Sequence, residues 1–337
     1  MLEKPEILDE KIIDCLKLEF GFHVARVEFL PLGNDMDSAV YRVVLEDGTA
    51  YFLKLRSGVF DQNSVTLPKF LSDQGITQII TPIQTKSGKL WANLEHFKLM
   101  LYPFVTGKDG YEIALSDVQW WEFGTALKQI HSAEMPTVIL ENIPQETYSA
   151  KWREIVKTFL ERAELEVFEE PVAAKLAAFL KTKRQEILEL IARTERLAQN
   201  LQARDLDLVV CHSDLHAGNL LIAENKFFIV DWDNPILAPK ERDLMFVGGG
   251  QMSNWRSPFE EECLFYKGYG ETRVDPVALS YYRFERIVQD IAAYCEQLFL
   301  SNDGAEDREQ ALQYLVSHFL PNRVLEIAQK ADQTRDS

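Results

Sequence analysis

The chain has 337 residues, 46% hydrophobic and 26% charged, which is typical of a folded protein and excludes a disordered one. That length is sufficient for two packed lobes. The formal net charge of −17 argues against a nucleic-acid partner, because phosphate backbones are bound through clustered Lys and Arg, whereas a cationic ligand is compatible with it. The sequence has no run of the roughly 18–20 apolar residues that a membrane span needs, and its acidic start is unlike a signal peptide. We therefore expect a cytoplasmic protein with no membrane partner.

The first hundred residues are predicted to form mainly β-strands. Residues 40–45 and 51–55 are two mostly apolar runs on either side of Asp47 and Gly48, a pattern typical of a hairpin. A second hairpin is predicted within residues 82–93. Between the hairpins, residues 64–74 are predicted to form a short helix that ends at a glycine.

The rest of the chain is predicted to be mainly helical. Ser116 is a good N-cap for a helix that reaches residue 131. Further helices are predicted at residues 150–161, 171–201, 258–269, 276–300 and 308–319, and short strands at 207–211, 219–222 and 227–230. The predicted fold class is α+β, with two lobes: a small antiparallel-sheet N-lobe at residues 1–101, a linker at 102–110, and a larger, mainly helical C-lobe at 111–337.

Polar side chains concentrate around the three short strands of the helical half. Apolar strands with acids at their ends are a rigid way to aim carboxylates at one place. Because folding gains nothing from so many polar groups there, a functional site is the economical explanation. The side chains concerned are His212, Ser213, Asp214, His216, Asn219, Asp231 and Asp233.

The order of these residues suits phosphoryl transfer from ATP. That reaction needs a carboxylate to accept the hydroxyl proton, oxygen ligands for Mg²⁺, and a cation to bind the phosphates. Asp214, Asn219 five residues later, and Asp231 after the following hairpin supply the first two. Protein kinases carry their catalytic Asp, Asn and second Asp in the same order.

Residues 212–219 (HSDLHAGN) and 229–233 (IVDWD) resemble the catalytic loop and the metal-binding segment of the aminoglycoside phosphotransferase and choline kinase superfamily. That superfamily has a protein-kinase-like fold. The resemblance implies that Asp214 is the catalytic base, that Asn219 and Asp231 are ligands of Mg²⁺, and that ATP is the phosphoryl donor.

Three further blocks, at residues 149–156, 237–250 and 281–290, resemble spectinomycin phosphotransferases. The resemblance implies an enzyme that phosphorylates a hydroxyl of a small amino-bearing polyol, an aminocyclitol or aminoglycoside antibiotic such as spectinomycin. A kinase for choline, homoserine or a sugar-like metabolite is the alternative, because likeness of fold does not determine a substrate. The acids that could contact a cationic acceptor are Asp233, Glu285 and Asp290.

The resemblance also implies a nucleotide site in the N-lobe. Lys54 lies on the third predicted strand, where the family has its phosphate-binding lysine. Residues 100–105 resemble the hinge whose backbone binds adenine, with Pro103 and Val105 as the expected contacts. The phosphate loop is expected at residues 31–38, with Asp37 and Ser38 as contacts, although no Gly-x-Gly-x-x-Gly is present.

The partner of Lys54 stays open at this stage. Kinases pair this lysine with a helix glutamate, but the helix predicted at residues 64–74 contains none. Either Asp61 replaces that glutamate, or Lys54 is anchored in another way.

Two other functions fit parts of the same pattern. A metal-dependent phosphoesterase could use His212, Asp214, His216, Asp231 and Asp233 as metal ligands, but it would leave Lys54 and the hinge without a role. A non-catalytic, pseudokinase-like module would bind nucleotide without transferring phosphate. Whichever of these functions the chain has, we expect it to be a monomer or a weak homodimer.

Overall fold

The structure, a computed structural model, describes residues 4–32, 37–301 and 305–335. Its strands are β1 (Val24–Leu30), β2 (Ser38–Leu45), β3 (Ala50–Arg56), β4 (Ala92–Leu94), β5 (Phe97–Pro103), β6 (Lys108–Asp109), β7 (Val209–Cys211), β8 (Leu220–Ala223), β9 (Lys226–Ile229) and β10 (Ile236–Ala238). Its helices are α1 (Asp9–Cys15), α2 (Asn63–Asp73), α3 (Asp117–Ser132), α4 (Thr137–Leu140), α5 (Lys151–Leu165), α6 (Pro171–Gln202), α7 (Glu241–Leu244), α8 (Pro258–Tyr269), α9 (Pro276–Leu300), α10 (Ala305–Ser317) and α11 (Val324–Arg335). Within the described ranges, none of these helices combines the length and apolarity needed to cross a membrane.

The chain folds as two compact units. The first unit consists of Met1–Ile143 and Ala217–Pro235, and the second of Pro144–His216 and Ile236–Ser337. The predicted α+β class is confirmed, since the strands are concentrated in the first unit and the long helices in the second. The predicted division at a linker of residues 102–110 stays a prediction.

A five-stranded antiparallel sheet of order β1-β2-β3-β5-β4 forms the centre of the first unit. The predicted hairpin of residues 40–55 is confirmed, with Val40 opposite Lys54. Leu53 and Leu55 are fully buried in the main core of the sheet. Because successive side chains of a strand point to opposite faces, Lys54 lies on the other face, beside its β5 partner Met100.

The hairpin predicted within residues 82–93 is wrong. Thr85 and Lys89 close a turn through a backbone hydrogen bond of 2.8 Å, but the described residues 82–85 form no strand. Instead, β4 pairs with β5, and Glu95 at φ 54° lies in the tight turn between them. The buried alternate residues of β4 and β5 join the sheet core in this register, which outweighs the Ser-Gly turn signal.

A second, three-stranded sheet of order β6-β8-β9 holds the segment that follows β5. Gly110 donates its backbone N–H to the carbonyl oxygen of Ala217 at 2.9 Å. A Cβ atom at Gly110 would lie 2.9 Å from that same oxygen, so the close approach requires glycine. The segment is thereby tied to the β8–β9 hairpin, which carries Asn219 and Asp231 at its two ends.

Three long helices of the second unit, α5, α6 and α9, share a buried guanidinium. Arg153 of α5 is 1% exposed and donates to Glu285 of α9 at 2.5 Å and to Glu195 of α6 at 2.9 Å. It also donates to the carbonyl of Tyr148 at 3.1 Å. A buried charge is tolerated only with such partners, so these contacts define how the three helices pack.

Capping residues explain where the predicted helices begin. Ser116 and Gln119 form a capping box at the start of α3, as the sequence predicts. Pro171, Pro258 and Pro276 each occupy the first turn of a long helix, where a fixed φ suits the geometry and no N–H is needed.

Glu261 of α8 makes folding stability depend on pH. Its carboxyl is buried and accepts the backbone N–H of Gly248 at 3.0 Å, and burial raises its pKa to about 8. The pKa of a glutamate in an unfolded chain is about 4.3. The folded state therefore holds a proton that the unfolded state releases between these values, and stability falls as pH rises through this window.

We predict that Glu261→Gln reduces this loss of stability between pH 5 and pH 8, because the amide keeps the acceptor oxygen and never ionises. The expected gain at pH 8 is on the order of 2–4 kcal/mol, from about 1.4 kcal/mol per pKa unit. Urea unfolding at pH 5, 6.5 and 8 measures it. Glu161→Gln, at an exposed position of α5, is the matched control. Identical pH slopes for the two variants would contradict the prediction.

Candidate active site

Lys54 is at the centre of a charge cluster in the first unit. Its Nζ lies 2.7 Å from Oδ2 of Asp233 and 3.2 Å from Oδ1 of Asp231. Arg56, two residues along the same strand face, donates to Oδ2 of Asp233 at 3.0 Å and to the hydroxyl of Ser38 at 3.2 Å. Burial acts to lower the pKa of Lys54, but the charges of Asp231 and Asp233 outweigh it and hold the pKa above its ordinary value. Lys54 is therefore a permanent cation.

The backbone after β9 brings both aspartates to Lys54. Trp232, between them, is buried, and its Nε1 donates to the carbonyl of Ile229 at 3.1 Å. Asp231 adopts a φ of 65°, a left-handed conformation that Asp tolerates better than most residues. With the indole anchored inward between them, the two flanking carboxylates both reach Lys54.

The acids beside the short helix do not supply the partner of Lys54. Asp61 instead accepts the backbone N–H of Asn63 at 2.8 Å, at the start of α2. The sequence left open whether Asp61 or another group anchors Lys54, and the structure shows another group. Lys54 is anchored by Asp231 and Asp233, from the segment that follows β9.

Asn219 and Asp231 lie at the open end of the β8–β9 hairpin, one before β8 and the other after β9. Asn219 ends a short 3₁₀ turn, Ala217–Asn219, and its carbonyl accepts the N–H of Val230 at 3.0 Å. Leu220 pairs with Ile229, so Asn219 stands opposite Val230, and Asp231 is the next residue along the chain. An amide oxygen and a carboxylate there are hard oxygen donors, which fit the ligand preference of Mg²⁺.

The remaining nucleotide-side residues lie around the five-stranded sheet. Pro103 is the exposed last residue of β5, opposite Tyr51, and Val105 follows it half-buried. Asp37 immediately precedes β2, and its carbonyl accepts the N–H of Ser57 at 2.8 Å. Ser38 begins β2. Residues 33–36, the middle of the expected phosphate loop, lie outside the described residues.

The loop that carries Asp214, in the second unit, is held by Asp243. The fully buried Asp243 carboxylate accepts the backbone N–H of His212 at 2.9 Å and that of Ser213 at 2.7 Å. Ser213 has a φ of 72°, outside the regions common for L-residues. The imidazole Nδ1 of His212 accepts the N–H of Asp214 at 3.3 Å. These bonds make the turn rigid just before the Asp214 side chain.

The carboxylate of Asp214 is half-buried between a guanidinium and an imidazole. Arg286 of α9 donates to its Oδ1 at 2.5 Å, and Nε2 of His216 lies 3.7 Å from its Oδ2. Burial acts to raise the pKa of Asp214, but the charge of Arg286 and the neighbouring histidines outweigh it and lower the pKa. Burial lowers the pKa of His216.

The two acids predicted on the acceptor side occupy different surroundings. Glu285 is 3% exposed, and its carboxylate is bound by Arg153. It is therefore a poor candidate for a substrate contact. Asp290, one turn after Arg286 on α9, is half-buried and accepts from Nε of Arg286 at 2.9 Å. Asp233, the third predicted acid, belongs instead to the Lys54 cluster.

Sequence reasoning missed Arg286 and Arg56. Arg56 could have been found from its period-2 spacing after Lys54, which places both side chains on one strand face. Arg286 has a weaker signal, an (i, i+4) spacing to Asp290 that is typical of exposed helix pairs. Only the packing of α9 shows that its other partner is Asp214.

Comparisons with known proteins identify the family of the chain. The model of the phosphotransferase enzyme family, APH, matches residues 28–272. The crystal structure of spectinomycin phosphotransferase APH(9)-Ia with ADP and spectinomycin is 39% identical, with a TM-score of 0.90 over 98% of this chain and 100% of that chain. Its AMP-bound complex, also 39% identical, has a TM-score of 0.85 over 95% of this chain and 98% of that chain.

Amicoumacin kinase hAmiN, in complex with AMP-PNP, Ca²⁺ and Ami, is 18% identical with a TM-score of 0.59, over 96% of this chain and 94% of that chain, and it supports the fold alone. A comparison with curated proteins gave no significant match. The kinase-like fold inferred from the two motifs is confirmed. The chain belongs to the phosphotransferase enzyme family of aminoglycoside phosphotransferases and is a small-molecule kinase.

Proposed function

We propose that this kinase transfers the γ-phosphate of ATP, with Mg²⁺, to a hydroxyl of an aminocyclitol antibiotic such as spectinomycin. The observation that carries the proposal is the 39% identity to spectinomycin phosphotransferase over 98% of this chain. That relative was crystallised with both ADP and spectinomycin. Such a product would protect the cell from the antibiotic.

On the nucleotide side, Lys54 binds the α- and β-phosphates, and its orientation comes from Asp233. Pro103 and Val105 provide the adenine contacts, and Asn219 with Asp231 would hold Mg²⁺. The metal, when bound, neutralises charge on the phosphates and so lowers the barrier to transfer. Support for these roles comes from the short Lys54 contacts and from the placement of Asn219 and Asp231 at the open end of one hairpin.

On the acceptor side, Asp214 orients the hydroxyl and accepts its proton as the oxygen attacks phosphorus. The charged groups next to it are Arg286 and Asp290. Burial lowers the pKa of the two nearby imidazoles, His216 and His318, so they are neutral at pH 7. Two carboxylates with one guanidinium leave one net negative charge, which favours an acceptor with an ammonium group.

Asp214→Asn is predicted to lower kcat by about 10²–10⁴-fold, because the amide cannot accept the hydroxyl proton. Nucleotide affinity should remain within about threefold of wild type, since no predicted adenine or phosphate contact changes. Coupled ADP release gives kcat, and titration calorimetry gives the nucleotide Kd. Near-normal turnover would contradict the role of Asp214.

Asp233→Asn is predicted to lower kcat/KM for ATP by about 10- to 100-fold, the range for losing a hydrogen bond to a charged group. The physical reason is that Lys54 and Arg56 both lose their shared carboxylate. Asp61→Asn is the matched control, because Asp61 contacts the start of α2 rather than Lys54. Equal losses in the two variants would mean that Asp233 does not orient Lys54.

The substrate proposal is tested with a panel of acceptors. Purified protein is incubated with ATP, Mg²⁺ and, separately, spectinomycin, kanamycin, streptomycin, hygromycin, choline or homoserine, and ADP release and product mass are read together. We expect one added phosphate on spectinomycin. Phosphate on another member would retain the kinase mechanism and reject the antibiotic. ATP binding without transfer to any member would favour the pseudokinase-like module.

A further inference from the structure

Arg286 connects the predicted catalytic base to a second carboxylate. Its guanidinium donates to Oδ1 of Asp214 at 2.5 Å through one terminal nitrogen, and its Nε donates to Oδ1 of Asp290 at 2.9 Å. Beyond Asp290, Nδ1 of His318 lies 3.9 Å from the other carboxylate oxygen. Nitrogen-bearing side chains and carboxylates therefore alternate along one row within the second unit. The row runs His216, Asp214, Arg286, Asp290, His318.

The guanidinium is held on more than one side. Its Cζ lies 5.7 Å from the ring centroid of Phe246, whose side chain is fully buried. The guanidinium is planar and its donors have fixed directions, so simultaneous bonds to Asp214 and Asp290 leave it little rotational freedom. A group fixed in this way transmits its own orientation to the carboxylate that it contacts.

We propose that Arg286 is a positioning residue for phosphoryl transfer, which orients the Asp214 carboxylate through Oδ1 so that Oδ2 receives the acceptor proton. The inference rests on the proposed role of Asp214 as the base. In that step the acceptor O–H bond breaks and its proton goes to Oδ2 of Asp214. The acceptor oxygen bonds to the γ-phosphorus, and the bond to the leaving ADP breaks. Asp290 in turn holds Arg286.

The charge of Arg286 has a second consequence for the base. Burial pushes the pKa of Asp214 upward, and Arg286 is the largest of the charges that push it downward. The other groups facing Asp214 are His212 and His216 of its own loop. A variant without the guanidinium loses the largest of these charges, so the pKa of Asp214 should rise and the base should be protonated at higher pH.

Four variants separate positioning from structural support. Arg286→Gln removes the charge, Arg286→Lys keeps the charge without the planar fork, and Asp290→Asn removes the holder of Arg286. Arg162→Gln is the matched control, because Arg162 also makes an (i, i+4) ion pair, with Glu166 at the C-terminal end of α5. Thermal unfolding of each variant shows whether it folds.

We expect Arg286→Gln to lower kcat by about 10- to 100-fold while KM for ATP changes by less than about twofold. The acidic limb of its kcat–pH profile should move to higher pH. Arg286→Lys should lower kcat but leave that limb near its wild-type position. Asp290→Asn should give a smaller loss of kcat, and Arg162→Gln no change in either. If Arg286→Gln does not fold, the decrease in kcat of Asp290→Asn tests the proposal instead.

The outcomes distinguish this inference from the proposed function. Asp214→Asn is the reference, and if wild-type transfer does not depend on Asp214, the proposed function fails. If transfer depends on Asp214 but Arg286→Gln keeps both kcat and the acidic limb, only the positioning role is overturned. A lower unfolding temperature with unchanged kinetics would likewise leave Arg286 a purely structural residue.

A measurement on the free enzyme needs no acceptor. The carboxyl carbon of Asp214 can be followed by ¹³C NMR in aspartate-labelled protein and identified by its loss in Asp214→Asn. In Arg286→Gln it should titrate at higher pH than in wild type, whereas in Arg162→Gln it should not move. Identical titrations in wild type and Arg286→Gln would overturn the proposal.

Discussion

The loop that carries Asp214 depends on one buried carboxylate. Asp243 has no exposed surface, and its carboxylate accepts two backbone N–H groups, from His212 and Ser213, which compensate for its burial. Those bonds stabilise the left-handed φ of Ser213, a conformation that would otherwise be costly. The same carboxylate thereby determines the direction in which Asp214 leaves the turn. The loop that carries Asp214 is thus held by bonds to its backbone, and Arg286 separately holds the Asp214 carboxylate.

Each of the two units contains a cluster in which positively and negatively charged side chains alternate. In the first unit, Lys54 and Arg56 share the carboxylate of Asp233. In the second unit, Arg286 is shared between Asp214 and Asp290. Such arrangements hold long side chains in one conformation before a ligand arrives, which reduces the entropy lost on binding. They also show how so acidic a chain holds Lys54, Arg56 and Arg286 in defined positions.

Much of the candidate site could be predicted from local sequence. The two motifs around Asp214 and Asp231 are short, and their spacing alone indicated which residues share a loop or a hairpin. The partner of Lys54 could not be predicted in this way. The structure supplies it from Asp233, 179 positions further along the chain, in place of a residue on the neighbouring helix. Such a long-range pair leaves no periodic signal in a single sequence.

The sequence by itself determined the fold class, the capped helices and the order of the candidate site residues, because these follow from local preferences and from motifs. Tertiary structure alone decided that the predicted hairpin within residues 82–93 yields to the β4–β5 pairing, since burial of a whole strand face outweighs a turn signal. It also decided the surroundings of two acids on one helix. Glu285 faces the buried Arg153, whereas Asp290 bonds the Arg286 that contacts Asp214. Helical spacing predicts which residues share a face, but only packing determines what that face meets.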